Sequence, residues 1–326
     1  MLLLPAVAFA VLALAGTAYF DVHGRTEELR DRYAPTLVDL AHARVALTLA
    51  QQEAEQRLGA GSGEPLRQTG LVGLGERYPA LLTEASQSLN NTVQAGALDT
   101  AQEQEVRVLS GLVVAYDDWV NWANSHHTSR PLRKAGMDYA KGLLSTGGTA
   151  VLARIDVLAA ELRTSAAALA DRRAVFSGTA SAALLGALVF AFVVAGTLDF
   201  VRGRLRVRSH LLSVCALPVL LLLAVPAIGV TVEHRAQDAV KEAAERLGRR
   251  AVPRPAGPEE NARGGPGAAV DKEDARLTRK LDATHPDAWA TACTLALALG
   301  AAGAVGCGVM LFHYGREYLE IQWKRK

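Results

Sequence analysis

The stretch Tyr33-Ala34-Pro35-Thr36-Leu37-Val38-Asp39-Leu40-Ala41-His42-Ala43-Arg44-Val45-Ala46-Leu47-Thr48-Leu49-Ala50-Gln51-Gln52-Glu53-Ala54-Glu55-Gln56-Arg57-Leu58 decides the fold. Tyr33, Leu37, Leu40, Arg44, Leu47, Gln51, Ala54 and Leu58 form a seam whose steps alternate between four and three residues. That spacing places them on one stripe of a helix, in coiled-coil fashion, with Arg44 and Gln51 as polar interruptions. Pro35 lacks an N–H and crowds the preceding turn, so the helix is expected to kink or restart there. The run Gly61-Ser62-Gly63-Glu64-Pro65 stops it.

The same reading extends outward to residue 173. A second helix is predicted over 74–94, with Tyr78, Leu81, Leu82, Ala85 and Leu89 inward and Gly96 ending it. Asp99 caps a third helix through Asn124, whose inward residues are Val106, Leu109, Val113, Tyr116 and Val120. After the polar turn Ser125–Arg130 a fourth helix starts near Pro131, with a break expected at Gly147-Gly148. Its second half carries Val151, Ile155, Leu158, Leu162, Ser165 and Leu169 as another seam. Four amphipathic helices with short connections give an up-down-up-down four-helix bundle, and the chain reads as all-α.

Around this bundle the composition changes. Half of the 326 residues are hydrophobic and 21% are charged, while mean hydropathy is only +0.13. Such an average fits lipid-spanning segments mixed with water-facing ones. Four stretches without Asp, Glu, Lys or Arg are each long enough to cross a bilayer: Leu2–Phe20, Ala174–Leu198, Leu211–Val230 and Ala288–Phe312. Ala13-Leu14-Ala15 also offers a signal-peptide cleavage site, but no basic segment precedes it and the apolar run continues to Phe20. The first span therefore reads as an uncleaved anchor.

Orientation follows from the basic residues. Arg202, Arg204, Arg206 and Arg208 face a single acid, Asp199, in the connection 199–210, and Arg316, Lys324, Arg325 and Lys326 crowd the tail 313–326. Both segments read as cytoplasmic. The expected organisation is then a multi-pass protein of a bacterial plasma membrane with both termini cytoplasmic. Segments 21–173 and 231–287 lie outside. The second of these is charged, and its Val252–Gly267 part is rich in Pro and Gly, which predicts a loose loop. A short charged helix is expected over Val270–Ala283. Cys215, Cys293 and Cys307 all fall inside predicted spans, so no disulfide framework is expected.

A helical external bundle between two spans resembles the ligand-sensing ectodomains of bacterial chemoreceptors and histidine kinases. The runs Ala43-Arg44-Val45-Ala46-Leu47, Gly73-Leu74-Gly75-Glu76-Arg77-Tyr78, Ala85-Ser86-Gln87-Ser88-Leu89 and Gly111-Leu112-Val113-Val114-Ala115-Tyr116 are similar to a family of actinobacterial membrane proteins. The resemblance covers roughly 25–165. It implies a sensor-like fold and brings no catalytic residues with it. The chain departs from chemoreceptors and kinases after the second span, where the connection 199–210 leaves no room for an output domain. Signalling then implies relay to a partner.

Candidate sites are few. Asp117, Asp118, Trp119, Trp122, His126 and His127 combine acids, indoles and imidazoles that suit a small cation or a metal, although indoles at this spacing also serve as a core edge. Arg44 on the seam suits an anionic ligand, or an acid on a neighbouring helix. Gly70, Gly73 and Gly75 form no phosphate-binding fingerprint. No catalytic triad or metal spacing occurs, so a non-enzymatic protein without cofactor or bound metal is expected. A net charge of +2 and 6% aromatics exclude nucleic acid as a natural partner. Ala292, Ala296, Gly300, Ala304 and Gly308 make a small-residue stripe that lets another helix approach closely. The stripe serves packing within the chain, a homodimer, or a partner in an envelope complex. The last two readings make a structural scaffold the alternative to a sensor, and the lipid bilayer is a partner in either case.

Overall fold

A computed structural model describes residues 3–59, 74–126, 128–171, 192, 225, 228–243, 245–246, 266–283 and 285–323. The described residues contain helices and turns and no strand, as expected of an all-α chain. They divide into two compact units. One comprises Glu28–Ala168 with Ala239–Arg279, and the other Met1–Glu27, Leu169–Asp238 and Lys280–Lys326.

The chain opens with α1, Leu3–Glu28, followed by a π-helical turn, Leu29–Tyr33, and by α2, Ala34–Gly59. The π turn sits where Pro35 was expected to disturb the helix. Proline cannot bond the carbonyl four residues back, and the Ala34 N–H reaches instead to the Leu29 oxygen, five residues away. One turn back from its own position, the buried Thr36 hydroxyl donates to the Arg32 carbonyl at 2.6 Å.

The first unit is built on the α2 seam. Leu40, Leu47 and Ala54 are fully buried, and they share one core with helices α3, Arg77–Gln94, and α4, Thr100–Ser125. The same core takes in α5, Arg130–Ser145, and α6, Val151–Asp171. Each buried leucine contributes about 1.5–3 kcal/mol through removal from water. The α4 start matches the sequence reading: the Asp99 carboxylate accepts the Gln102 N–H at 2.8 Å, and the Gln102 side-chain oxygen accepts the Asp99 N–H at 3.2 Å.

The expected fourth helix is two helices. Thr146 ends α5, Gly147 turns the chain with φ of +88°, and Val151 begins α6. The left-handed conformation at Gly147 costs little without a Cβ. The segment predicted to be the second external one also contributes more than expected. Its helix, Pro266–Asp282, here α8 after the helical segment α7 at 228–243, buries Val270 against Val38 with Ala41 and Val45 alongside. The described residues of 239–279 thus belong to the same unit as α2 to α6.

In the second unit, α9 runs from Pro286 to Trp323 as one helix and includes much of the predicted tail. The small-residue stripe meets α1: a Cβ on Gly300 would fall 2.9 Å from Leu12 Cδ2. Ala296 and Ala304 are buried, and the free thiol of Cys293 is buried too. One helical stretch within Ala268–Gly306 has the length and apolar composition of a membrane span, and it overlaps the predicted fourth span. The predicted second and third spans, apart from Phe192, Val225 and 228–230, lie outside the described residues. So do Arg202, Arg204, Arg206, Arg208, Cys215 and the Lys324–Lys326 end.

Candidate functional site

Helical geometry turns each residue about 100° from the last, so the Asp117–His126 run of α4 distributes its side chains in several directions. Tyr116, Val120 and Ala123 enter the core. Asp117 accepts a hydrogen bond from the Tyr78 hydroxyl at 3.2 Å. Burial pushes the Tyr78 phenol far above its usual range, and Tyr116 and Asp117 nearby push it further. Asp118 is exposed. Trp119 leans toward α5, and Trp122 lies edge-on to it at 5.9 Å between ring centroids. The His126 ring sits 4.3 Å from that of Trp122 and its Nδ1 lies 2.8 Å from the Trp122 carbonyl. His127 lies outside the described residues. The structure thus brings Trp119, Trp122 and His126 into ring contact while Asp117 and Asp118 turn elsewhere, and among the described residues no three His, Cys, Asp or Glu side chains converge as metal ligands.

Trp119 does contribute to a concave surface. Its ring stacks on Tyr139 at 4.8 Å with 15° between planes. The pair borders an open groove of about 590 Å³ that Asp138, Leu143, Thr149 and Ala150 also line. Thr149 and Ala150 belong to the turn between α5 and α6, so the groove opens on the break in the helix pair. Beneath its edge, α4 and α5 approach as closely as they can. A Cβ on Gly136 would lie 2.8 Å from Trp122 Cε3 and 2.9 Å from the Ala123 Cβ.

Arg44 makes a two-pronged contact with Asp156 of α6: Nε to Oδ1 at 2.7 Å and Nη2 to Oδ2 at 3.1 Å. The arginine side chain is only 11% exposed and the aspartate 47%. A second arginine of α6, Arg163, has its Nε buried with no hydrogen-bond partner. Burial disfavours its charged form, Asp156 favours it, and Arg44 adds repulsion.

Residues 25–173 match the actinobacterial sensor domain family. The sensor domain so defined covers just under half of the chain, and its limits nearly coincide with the Glu28–Ala168 part of the first compact unit. No curated protein and no solved structure matches the chain. Both the aromatic groove and the Arg44–Asp156–Arg163 cluster fall inside the sensor domain.

Sequence reasoning named Arg44 and Trp119 but missed Asp138, Tyr139, Asp156 and Arg163. Tyr139 had a legible signal, because it falls off the face defined by Gly136, Met137, Ala140 and Leu144 and is 64% exposed. Arg163 had none, because nothing in its neighbours reveals which helix it faces. At the edge of the sensor domain, a second polar cluster was also missed. His23 Nδ1 lies 2.9 Å from Glu233 Oε1, Glu233 is 1% exposed, and its Oε2 has no hydrogen-bond partner. Tyr19 stacks on His23, and Gln237 donates to the Thr26 hydroxyl at 3.0 Å.

Proposed function

We propose that this chain is a non-enzymatic, four-span protein of a bacterial plasma membrane that senses outside the cell and passes the signal to a partner. The match of residues 25–173 to a sensor family carries the sensing part of this reading. In the proposed arrangement the four spans are 1–20, 174–198, 211–230 and 288–312, the sensor domain is an extracytoplasmic up-down-up-down bundle, and both termini are cytoplasmic. The outward-facing side chains of α9 support a bilayer around it: Leu295, Leu299, Val305, Val309 and Phe312 are all more than half exposed.

A signal would travel along α6. That helix buries Val151, Ile155, Leu158 and Leu162 in the sensor core and continues in sequence toward the second predicted span. A small shift of such a helix is the usual economical output of a packed bundle. The short connection 199–210 holds no output domain, so a partner completes the relay.

The test is cysteine pairing in membrane vesicles. Single cysteines placed along Leu158–Leu169 should change crosslinking when a ligand is added. Crosslinking that stays constant under every condition that alters cell behaviour would sink the relay. The scaffold reading makes a different prediction: a stoichiometric partner recovered in mild detergent and lost in Gly300→Leu. Because Gly300 already faces Leu12 within the chain, the sensor reading expects that substitution to disturb α1 packing and release no partner.

A further inference from the structure

The groove at the α5–α6 break carries open aromatic surface and a charge together. Its volume of about 590 Å³ lies in the range of small-ligand sites. Trp119 and Tyr139 stack on each other at 4.8 Å, which uses one face of each ring. Tyr139 is nevertheless 64% exposed and Trp119 37%, so aromatic surface stays open to a visitor. Trp119 is braced by Trp122, which lies T-shaped to it at 5.9 Å between centroids and packs over Gly136. Of the groove's lining residues, only Asp138 is charged at neutral pH, and no described residue forms an ion pair with it. Gly142 shapes the same wall. A Cβ there would meet nothing within 4 Å among the described residues. Close packing therefore does not demand a glycine at this point of α5, where glycine weakens the helix. What the missing side chain preserves is room in the groove.

We propose that this groove binds a small methylated ammonium cation, of the choline or tetramethylammonium type, held against the Tyr139 and Trp119 rings and balanced by the Asp138 carboxylate. The biological use of the site rests on the sensing reading above, whereas the binding itself rests on the groove. Aromatic faces are negative and attract a cation that sheds its water readily, and a methylated ammonium needs no hydrogen-bond acceptor in contact. The other ligand classes fit less well. A bare metal ion needs several ligand oxygens, and among the described residues no three such groups converge. An anion, or the carboxylate of a zwitterion, would face Asp138. A neutral apolar molecule would cover that carboxylate and offer it nothing in return. The C-terminal end of α5 and the N-terminal end of α6 both border the turn, and their opposite dipoles offset, which leaves Asp138 to set the sign. Position identifies the source. Thr149 and Ala150 immediately precede the 21 residues of α6. At 1.5 Å per residue they stand about 30 Å from the end of α6 that leads toward the second predicted span. The occupant is thus a dissolved solute and not a lipid headgroup. Because the groove joins Trp119 of α4 and Tyr139 of α5 to the turn that starts α6, its occupancy bears directly on α6.

The test uses the full chain in nanodiscs of phosphatidylglycerol and phosphatidylethanolamine, whose headgroups carry no methylated ammonium, with empty discs as the blank. Calorimetric titrations at constant ionic strength compare tetramethylammonium, choline, glycine betaine and dimethylbutanol, the uncharged carbon counterpart of choline. Choline and tetramethylammonium should bind saturably, with glycine betaine weaker and dimethylbutanol about tenfold weaker or absent. Tyr139→Ala should weaken choline about tenfold or more, and Tyr139→Phe should keep most of the affinity, because the ring face makes the contact. Asp138→Asn should weaken choline about three- to tenfold and leave dimethylbutanol unaffected. Gly142→Leu should fill the groove and abolish binding, while the thermal midpoint of the unliganded protein holds or rises because leucine favours the helix. Absence of saturable binding by both cations would overturn the proposal. So would dimethylbutanol or glycine betaine binding as tightly as choline, or choline affinity unchanged in Tyr139→Ala and Gly142→Leu. The sensing reading fails separately: choline binding that leaves the Leu158–Leu169 crosslinks unchanged preserves the site and removes its role in relay.

Discussion

The α4–α5 contact and the α2–α6 contact share one core and are closed by opposite means. Between α4 and α5 the backbones approach until no Cβ fits at Gly136, and Trp122 covers the gap with its ring. Between α2 and α6 an ion pair joins the helices, and farther along α6 the Nε of Arg163 is buried without a hydrogen-bond partner. Close packing falls off steeply with distance and has one good arrangement. An exposed ion pair is weak, long-limbed and exchangeable. The first contact is suited to hold a shape and the second to change one.

The comparison can be broken most directly at the dry contact. Leu144→Ala on α5 empties a fully buried position and should cost about 2–5 kcal/mol in denaturant unfolding. A loss under about 1 kcal/mol would mean that α5 is not held as the packing indicates. Gly136→Val should cost about 1–3 kcal/mol, because neither the Trp122 ring nor the Ala123 Cβ can withdraw freely. Removing the α4 cap with Asp99→Ala should cost about 1 kcal/mol and fray the helix start, which amide exchange at Gln102 would report.

Effects at the exchangeable contact should be smaller. Asp156→Asn should change stability by less than about 1 kcal/mol, and a larger loss would make the pair structural. The nearby α2–α8 contact sharpens the same point through pH. Asp39 is pushed above the usual carboxylate range, first by burial and further by Asp274, against the pull of a hydrogen bond with Asn91 and of His42. At pH values between the unfolded and folded pKa, the folded state therefore retains a proton that the unfolded chain releases. Stability contributed by this group is greatest below the unfolded value near 3.9 and falls as pH rises toward the folded one. Asp39→Asn should remove that fall and leave the protein equal or more stable at neutral pH. Chemical denaturation of both forms between pH 3.5 and 7 checks the sign.

Much of the helical plan was legible because it depends on local rules. The seam from Tyr33 to Leu58, the disturbance at Pro35, the Asp99 cap and the break at Gly147 each follow from residues a few positions apart. The break shows the limit of that reading: two glycines announce that a helix can bend, and the backbone shows Gly147 in a left-handed turn with φ of +88°. The Asp117–His126 run shows the limit more sharply. In the chain it looks like one cluster, and on the helix Trp119, Trp122 and His126 keep ring contact while Asp117 turns to Tyr78 and Asp118 to solvent. Arg44 was legible as an exceptional residue on an apolar stripe, with an acid on a neighbouring helix among its expected partners.

By itself, then, the sequence determined the helical character of the described residues, the approximate place of most helices, and much of the stripe that each buries. Those properties come from propensity, capping and periodicity, which act within a few residues. Only the tertiary structure decided that Arg44 meets Asp156 at a separation of 112 residues, that the Arg163 Nε is buried without a partner, and that Val270 returns from a distant segment of the chain to cover Val38. Contacts of that range depend on how helices rotate against one another. Rotation is set by the sum of many side-chain volumes across a shared core, and no local pattern records it.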